Sequence, residues 1–163
     1  MAEVPRLDRA IRILKDAYER QMAGRLDEAV RLYQASIAEC PTPEAHTYLG
    51  WTYSQKGRYE DAIDQCKIAI TLDPTFGNPY NDIGSYLIHQ GKVDEAIPWL
   101  ELAKKAPRYE PRHFPYLNLY RVYSKRGELD KAQRELQQAL FIQQALEQQS
   151  GVGEDDATRG PTH

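Results

Sequence analysis

Apolar residues recur along this chain at three- and four-residue spacing, and glycine interrupts the pattern at regular distances. From Pro43 to Lys56, His46, Leu49, Gly50 and Tyr53 share one helical face. After Gly57, a second helix buries Ala62, Ile63, Cys66, Ala69, Ile70 and Leu72. Pro43 suits a first helical turn, where its missing N–H has no partner to lose. Gly57 can end the first helix because it accepts a left-handed backbone. Asp73-Pro74 stops the second, since the residue before proline is driven away from helical angles. Gly50 costs roughly 1 kcal/mol against alanine inside a helix. Either a second helix approaches it closely or it is a tolerated weak spot. The predicted unit is a helical hairpin with small residues where its helices meet.

The unit recurs. GRLDEA begins at Gly24, GRYEDA at Gly57, GKVDEA at Gly91 and GELDKA at Gly127, at intervals of 33, 34 and 36 residues. A hairpin of this size cannot bury a core alone, so the copies must stack.

The pattern resembles the tetratricopeptide repeat (TPR), a family of stacked antiparallel helix pairs. In the second copy the family's motif places are held by His46, Leu49, Gly50, Tyr53, Gly57, Ala62, Ala69 and Pro74. The third offers Tyr80, Ile83, Gly84, Leu87, Gly91, Ala96 and Ala103, with Pro107 one place early. The fourth offers Tyr116, Leu119, Tyr123, Gly127, Ala132 and Ala139. The resemblance implies an all-α fold, an α-solenoid of about four hairpins in a right-handed superhelix. It places a repeat domain at 1–148, with repeats at about 10–42, 43–76, 77–110 and 113–146, and a flexible tail at 149–163.

The copies differ. The first has Asp16 and Ala17 where leucine and glycine are expected, although Leu7, Ile11, Leu14, Tyr18 and Met22 keep an amphipathic stripe. Tyr120 replaces the small residue of the fourth helix pair, which predicts a splayed or rotated hairpin. Pro115 opens that pair's first helix, and Pro98 is expected to cost a hydrogen bond or a slight kink in the third. The last copy lacks a terminating proline, so its second helix should run to about Gln148. Phe141 and Leu146 on it are packing residues or a self-association contact.

Composition narrows function by exclusion. A net charge of −3, with no concentrated basic stripe, argues against nucleic acid or an anionic membrane as partner. The N-terminus has no uninterrupted apolar run and no lipidation signal, so no signal peptide, anchor or span is expected. Cys40 and Cys66 lack metal-ligand spacing and fit a reducing cytoplasm. The histidines have no ligand spacing, and no phosphate loop or nucleophile–base motif is present. A non-catalytic chain without metal or cofactor is expected.

The resemblance implies a non-covalent adaptor that binds a peptide or partner helix in a groove lined by the first helix of each repeat. Its inward positions map to Thr47, Tyr48, Trp51, Ser54 and Gln55, then to Asn78, Asn81, Asp82, Ser85, Ile88 and His89. The fourth repeat adds Phe114, Leu117, Asn118, Arg121, Ser124 and Lys125. Asparagine offers a peptide backbone both donor and acceptor. Trp51 and Tyr48 offer anchor area, unless Trp51 packs between repeats. Asp82 and Arg121 can pair with each other or meet opposite charges on a ligand. Chaperone-binding members of the family grip a C-terminal carboxylate with lysine, asparagine and arginine. Those places here hold Thr47, Trp51, Asp82, Phe114 and Asn118, or, one repeat earlier, Leu14, Tyr18, Tyr48, Asn78 and Asp82. Neither set is a basic clamp, so an acidic chaperone tail is not the expected ligand. Rival expectations are a self-assembling subunit and an assembly factor resembling pilus-biogenesis TPR proteins.

Overall fold

The computed structural model describes residues 5–156, with side chains to residue 151. Among the described residues there are eight helices and no strands. They pair as α1 (Arg6–Met22) with α2 (Leu26–Glu39), α3 (Pro43–Gln55) with α4 (Tyr59–Leu72), α5 (Asn78–His89) with α6 (Val93–Lys105), and α7 (Phe114–Lys125) with α8 (Leu129–Asp156). The chain divides into two compact units, Met1–Glu110 and Pro111–His163. The first stacks three hairpins, and the second is the fourth hairpin.

Each recurrent glycine does the same work. Gly24, Gly57, Gly91 and Gly127 have φ of 78°, 75°, 77° and 73°. The N–H of the next residue reaches back over the helix end, as from Arg58 to the Tyr53 carbonyl at 2.9 Å, while Gly57 N–H bonds the Ser54 carbonyl at 3.0 Å. This double closure satisfies carbonyls that the helix end would leave open. The acidic residues of the phrase then sit in the first turn of α2, α4 and α6. There they meet the positive end of the helix dipole. In α2 and α4 they also pair with the preceding arginine, Arg25 with Glu28 and Arg58 with Asp61. Thr42 caps α3 by accepting from Ala45 N–H at 3.1 Å, with Pro43 in the first turn.

Packing explains the interior glycines. A Cβ on Gly50 would lie 2.9 Å from the Ala62 carbonyl, and one on Gly84 would lie 2.4 Å from Leu100. Close approach, the first of the two alternatives for Gly50, is what these helices show. In α1, Ala17 is sealed where the glycine is missing.

Between α6 and the end of the first unit, the chain folds back on the α4–α5 connection. Arg108 N–H donates to the Thr75 carbonyl and Gly77 N–H to the Arg108 carbonyl. The Arg108 guanidinium pairs with Glu44 and Asp73 and lies 4.4 Å from the Phe76 ring centre.

α8 ends later than expected, at Asp156 instead of near Gln148. No proline arrives before Pro161, and the Ser150 hydroxyl donates to the Leu146 carbonyl within the helix. The expected tail therefore begins as helix, and its remainder, 157–163, lies outside the described residues. Tyr120 keeps 36% of its surface exposed, and Pro98 is exposed within a continuous α6. No helix of the described residues is long and apolar enough to cross a membrane.

Candidate functional site

The first-helix face of the first two hairpins carries a layered aromatic cluster. Tyr18 on α1 is 39% exposed, and its ring centre lies 5.5 Å from that of Tyr48 on α3. Trp51, less than one turn further along α3, is half-buried and 6.5 Å from Tyr48. Beneath them Tyr33 of α2 is fully buried and stacks on Tyr48 at 6.1 Å and 22°.

A polar relay holds this platform. The Tyr33 hydroxyl donates to Gln21 Oε1 at 2.7 Å, and Gln21 Nε2 donates to Gln55 Oε1 at 2.7 Å. One residue from each of α2, α1 and α3 is thereby tied in line. Burial raises the hydroxyl pKa of Tyr33 and Tyr48, so both stay neutral at ordinary pH. Leu14, Lys15, Tyr18, Glu19 and Tyr48 line an open cleft of about 320 Å³ at this place.

On α5 the chemistry changes. The Asp82 carboxylate makes no hydrogen bond or ion pair among the described residues. Burial pushes its pKa up to about 7, because lost water penalises its charge and nothing nearby compensates. Its charge acts on the hydroxyls of Tyr48, Tyr86 and Tyr109 and on the Cys66 thiol.

Residues 43–76 match the tetratricopeptide repeat model. The chain carries tetratricopeptide repeats. The TPR repeat-containing protein YpiA of Bacillus subtilis is 27% identical over 121 residues, covering 74% of this chain and 28% of YpiA. Among solved structures, MamA superposes with a TM-score of 0.73 at 20% identity, over 85% of this chain and 81% of MamA. Pseudomonas aeruginosa PilF gives 0.79 at 18% identity, over 84% and 62%. At such identities these structures establish the fold alone. The chain spans 20% to 36% of the length of the curated relatives it matches.

The TPR-derived positions divide into three kinds. Tyr48, Trp51, Gln55, Asp82, Ser85 and His89 are half-buried or exposed in the first unit. Among these, Gln55 is held by Gln21, and His89 stacks on Tyr59 of α4 at 5.5 Å while its Nδ1 bonds the Ser85 carbonyl. Thr47 and Asn81 are 5% and 6% exposed and present almost no surface; the Thr47 hydroxyl donates to the Pro43 carbonyl. Asn78 donates to the Glu110 carbonyl at 3.4 Å. In the second unit, α7 carries half-buried Leu117, buried Asn118 and exposed Arg121, which donates to Asn118 Oδ1 at 3.3 Å. On α8, Phe141 is 70% exposed and Leu146 half-buried.

Leu14 and Tyr18 stand at inward positions of the degenerate first repeat, and Gln21 occupies the place there that Ser54 holds in the second, so all three follow from repeat spacing. Tyr33 and its bond to Gln21 do not. Their contact joins residues 12 apart across a turn, which no periodicity marks.

Proposed function

We propose that this chain is a protein-interaction module whose first unit takes an extended peptide or partner helix against the first-helix face of its repeats. TPR proteins bind protein or peptide partners, and one solved neighbour, the second TPR of Spaghetti (RPAP3), was solved bound to an HSP90 peptide. The observation that carries the proposal is the Tyr18–Tyr48–Trp51 cluster beside an open cleft. Half-exposed aromatic rings, held from below by Tyr33 and Gln21, give large contact area at small entropic cost.

Panning a displayed random-peptide library on the whole chain tests this. Trp51→Ala should weaken the selected peptides by about 2 kcal/mol, roughly 30-fold. Unchanged binding accompanied by lower thermal stability would make Trp51 a packing residue. An acidic C-terminal chaperone peptide is not expected to bind, since Asp82 would repel its carboxylate. Micromolar binding that is lost on amidating its terminus would overturn that part.

A second reading is self-association through α8, supported by Phe141 and Leu140, exposed by 70% and 50%. Light scattering across a dilution series decides it. A monomer at every concentration removes this reading.

A further inference from the structure

We propose that the cleft where α1 turns into α2, lined by Arg20, Arg25, Glu28, Arg31 and Leu32, docks an acidic segment of a partner protein. What it reads is side-chain carboxylates within a chain, not a chain end. It shares no lining residue with the aromatic cleft, and the proposal does not rest on the peptide-binding reading.

The cleft originates in a departure from the repeat. Arg20 stands four residues before Gly24, and the same place before Gly57, Gly91 and Gly127 holds Tyr53, Leu87 and Tyr123. In the second hairpin Tyr53 is buried, and the Arg58 guanidinium lies over its ring, 4.5 Å from the centre. The first hairpin keeps the equivalent arginine, Arg25, but has no ring for it to cover. With a flexible arginine in place of the ring, the site is an open cleft of about 370 Å³. A second exchange sets its sign. Arg31 stands seven residues after Gly24, where the second repeat has Asp64 after Gly57.

The charges in the cleft do not balance. Glu28 is the one carboxylate in its lining, 2.9 Å from Arg25 Nη2 and 3.5 Å from Arg20 Nη1. Arg31 makes no hydrogen bond or ion pair among the described residues. Asp27 attracts it at longer range, but that carboxylate is itself bound to Lys56 at the end of α3. Three guanidinium groups therefore face one carboxylate. Guanidinium groups grip carboxylates through two parallel hydrogen bonds and are weakly hydrated, so they suit an acidic partner better than lysines would.

The spacing selects an extended chain over a single small anion. Arg31 lies about 9 Å beyond Arg25 along the axis of α2. Side chains two apart on an extended chain share a face and are separated by about 7 Å. Two acidic residues at that spacing reach both guanidiniums, and Leu32 adds an apolar contact.

The test uses the whole chain and a short labelled peptide of glutamate and aspartate around one leucine, capped at both ends so that it has no terminal carboxylate. Fluorescence anisotropy measures binding. The wild type should bind, with affinity falling at least about 10-fold between about 50 and about 300 mM salt. Arg31→Gln should bind at least about 5-fold more weakly. Arg12→Gln removes the same charge from an exposed position of α1 outside the cleft and should change affinity by less than about 2-fold. Glu28→Gln should bind at least about 3-fold more tightly, because Arg20 and Arg25 lose their internal competitor. A gain of affinity cannot come from a damaged fold, and exposed pairs of this kind hold little stability. No binding by the wild type, or equal binding of the glutamine and asparagine analogue, overturns the proposal. Equal losses in Arg31→Gln and Arg12→Gln overturn it, as does weaker binding by Glu28→Gln. Loss on Trp51→Ala with Arg31→Gln unchanged moves the peptide to the aromatic face, which overturns the proposal and supports the peptide-binding reading. Equal displacement by a single-stranded oligonucleotide of the same charge makes the cleft a site for any polyanion and overturns the occupant named here.

Discussion

Gly84 should resist alanine, although a helix interior ordinarily prefers alanine. Propensity alone favours Gly84→Ala by about 0.5–1 kcal/mol. The added Cβ would lie 2.4 Å from Leu100 Cδ2 and 2.6 Å from Cγ. Comfortable carbon separations are about 3.5–4.0 Å, so the shortfall exceeds about 1 Å. Leu100 is fully buried, so either it leaves its rotamer or α5 and α6 move apart. Overpacking of this kind costs about 1–3 kcal/mol. With the neighbouring Cγ also in conflict, the upper end applies, and the net loss is about 2 kcal/mol. Urea unfolding followed by circular dichroism measures it. The control is the Leu100→Ala background, itself about 2–5 kcal/mol less stable. There the obstruction is gone, the new methyl fills part of the cavity, and Gly84→Ala should stabilise by about 1 kcal/mol. The sign reversal is the diagnostic, a coupling of about 3 kcal/mol between two touching sites. A neutral or stabilising Gly84→Ala in the wild type would refute the packing argument. An equal penalty in both backgrounds would place the cost somewhere other than Leu100.

Other expectations follow from the same reasoning. Gly57→Ala should cost about 1 kcal/mol from backbone strain alone, since nothing lies within 4 Å of its Cβ position; a value near zero in urea unfolding would remove the helix-end account. Tyr33→Phe should cost about 1–3 kcal/mol by leaving Gln21 Oε1 buried without its donor, and Tyr33→Phe with Gln21→Leu should recover part of that loss. Additive losses would show that the relay is not a unit. For Asp82 the folded pKa lies above the unfolded one, so the folded state binds a proton more tightly, and stability falls as pH rises from about 4 to about 7. Asp82→Asn should therefore match the wild type near about pH 4 and exceed it by on the order of 2 kcal/mol near about pH 8, a discounted value for a group that keeps some solvent contact. Thermal melts across that range decide it, and a constant difference would exclude the carboxyl as the cause.

The legible parts of this fold are those where local chemistry is obligatory. A left-handed helix end needs glycine, so Gly24, Gly57, Gly91 and Gly127 announce the four turns. A close helix crossing needs a missing side chain, so Gly50 and Gly84 announce the hairpin contacts. Contacts that several residue types can make leave no such mark. Arg108 gathers Glu44, Asp73 and Phe76 from distant parts of the first unit, and no spacing predicts that assembly. The end of α8 carries no mark in the sequence for a related reason. Glycine at 151 weakens a helix without stopping it, and Asp156 is reached because nothing before it forbids helical angles. On the first-helix face, Tyr48, Trp51 and Asp82 are readable by position, but their different states of satisfaction are not.

That difference in satisfaction separates scaffold from site. The repeat framework closes its own accounts: glycine turns satisfy helix ends, acidic first turns meet dipoles, and small residues fill crossings. Chemistry left unfinished includes the half-exposed rings of Tyr18, Tyr48 and Trp51, Asp82 without an ion pair, and the buried Gln90 Oε1 without a hydrogen-bond partner. For the rings alone, binding and packing make the same demand, since removing a ring harms both. Asp82 is where the two demands part. Neutralising it should strengthen the fold above neutral pH, because an uncompensated charge disappears, so any loss of peptide affinity in that variant could not come from a loosened fold. Asp82→Asn therefore carries more information about this chain than any substitution that merely loosens it.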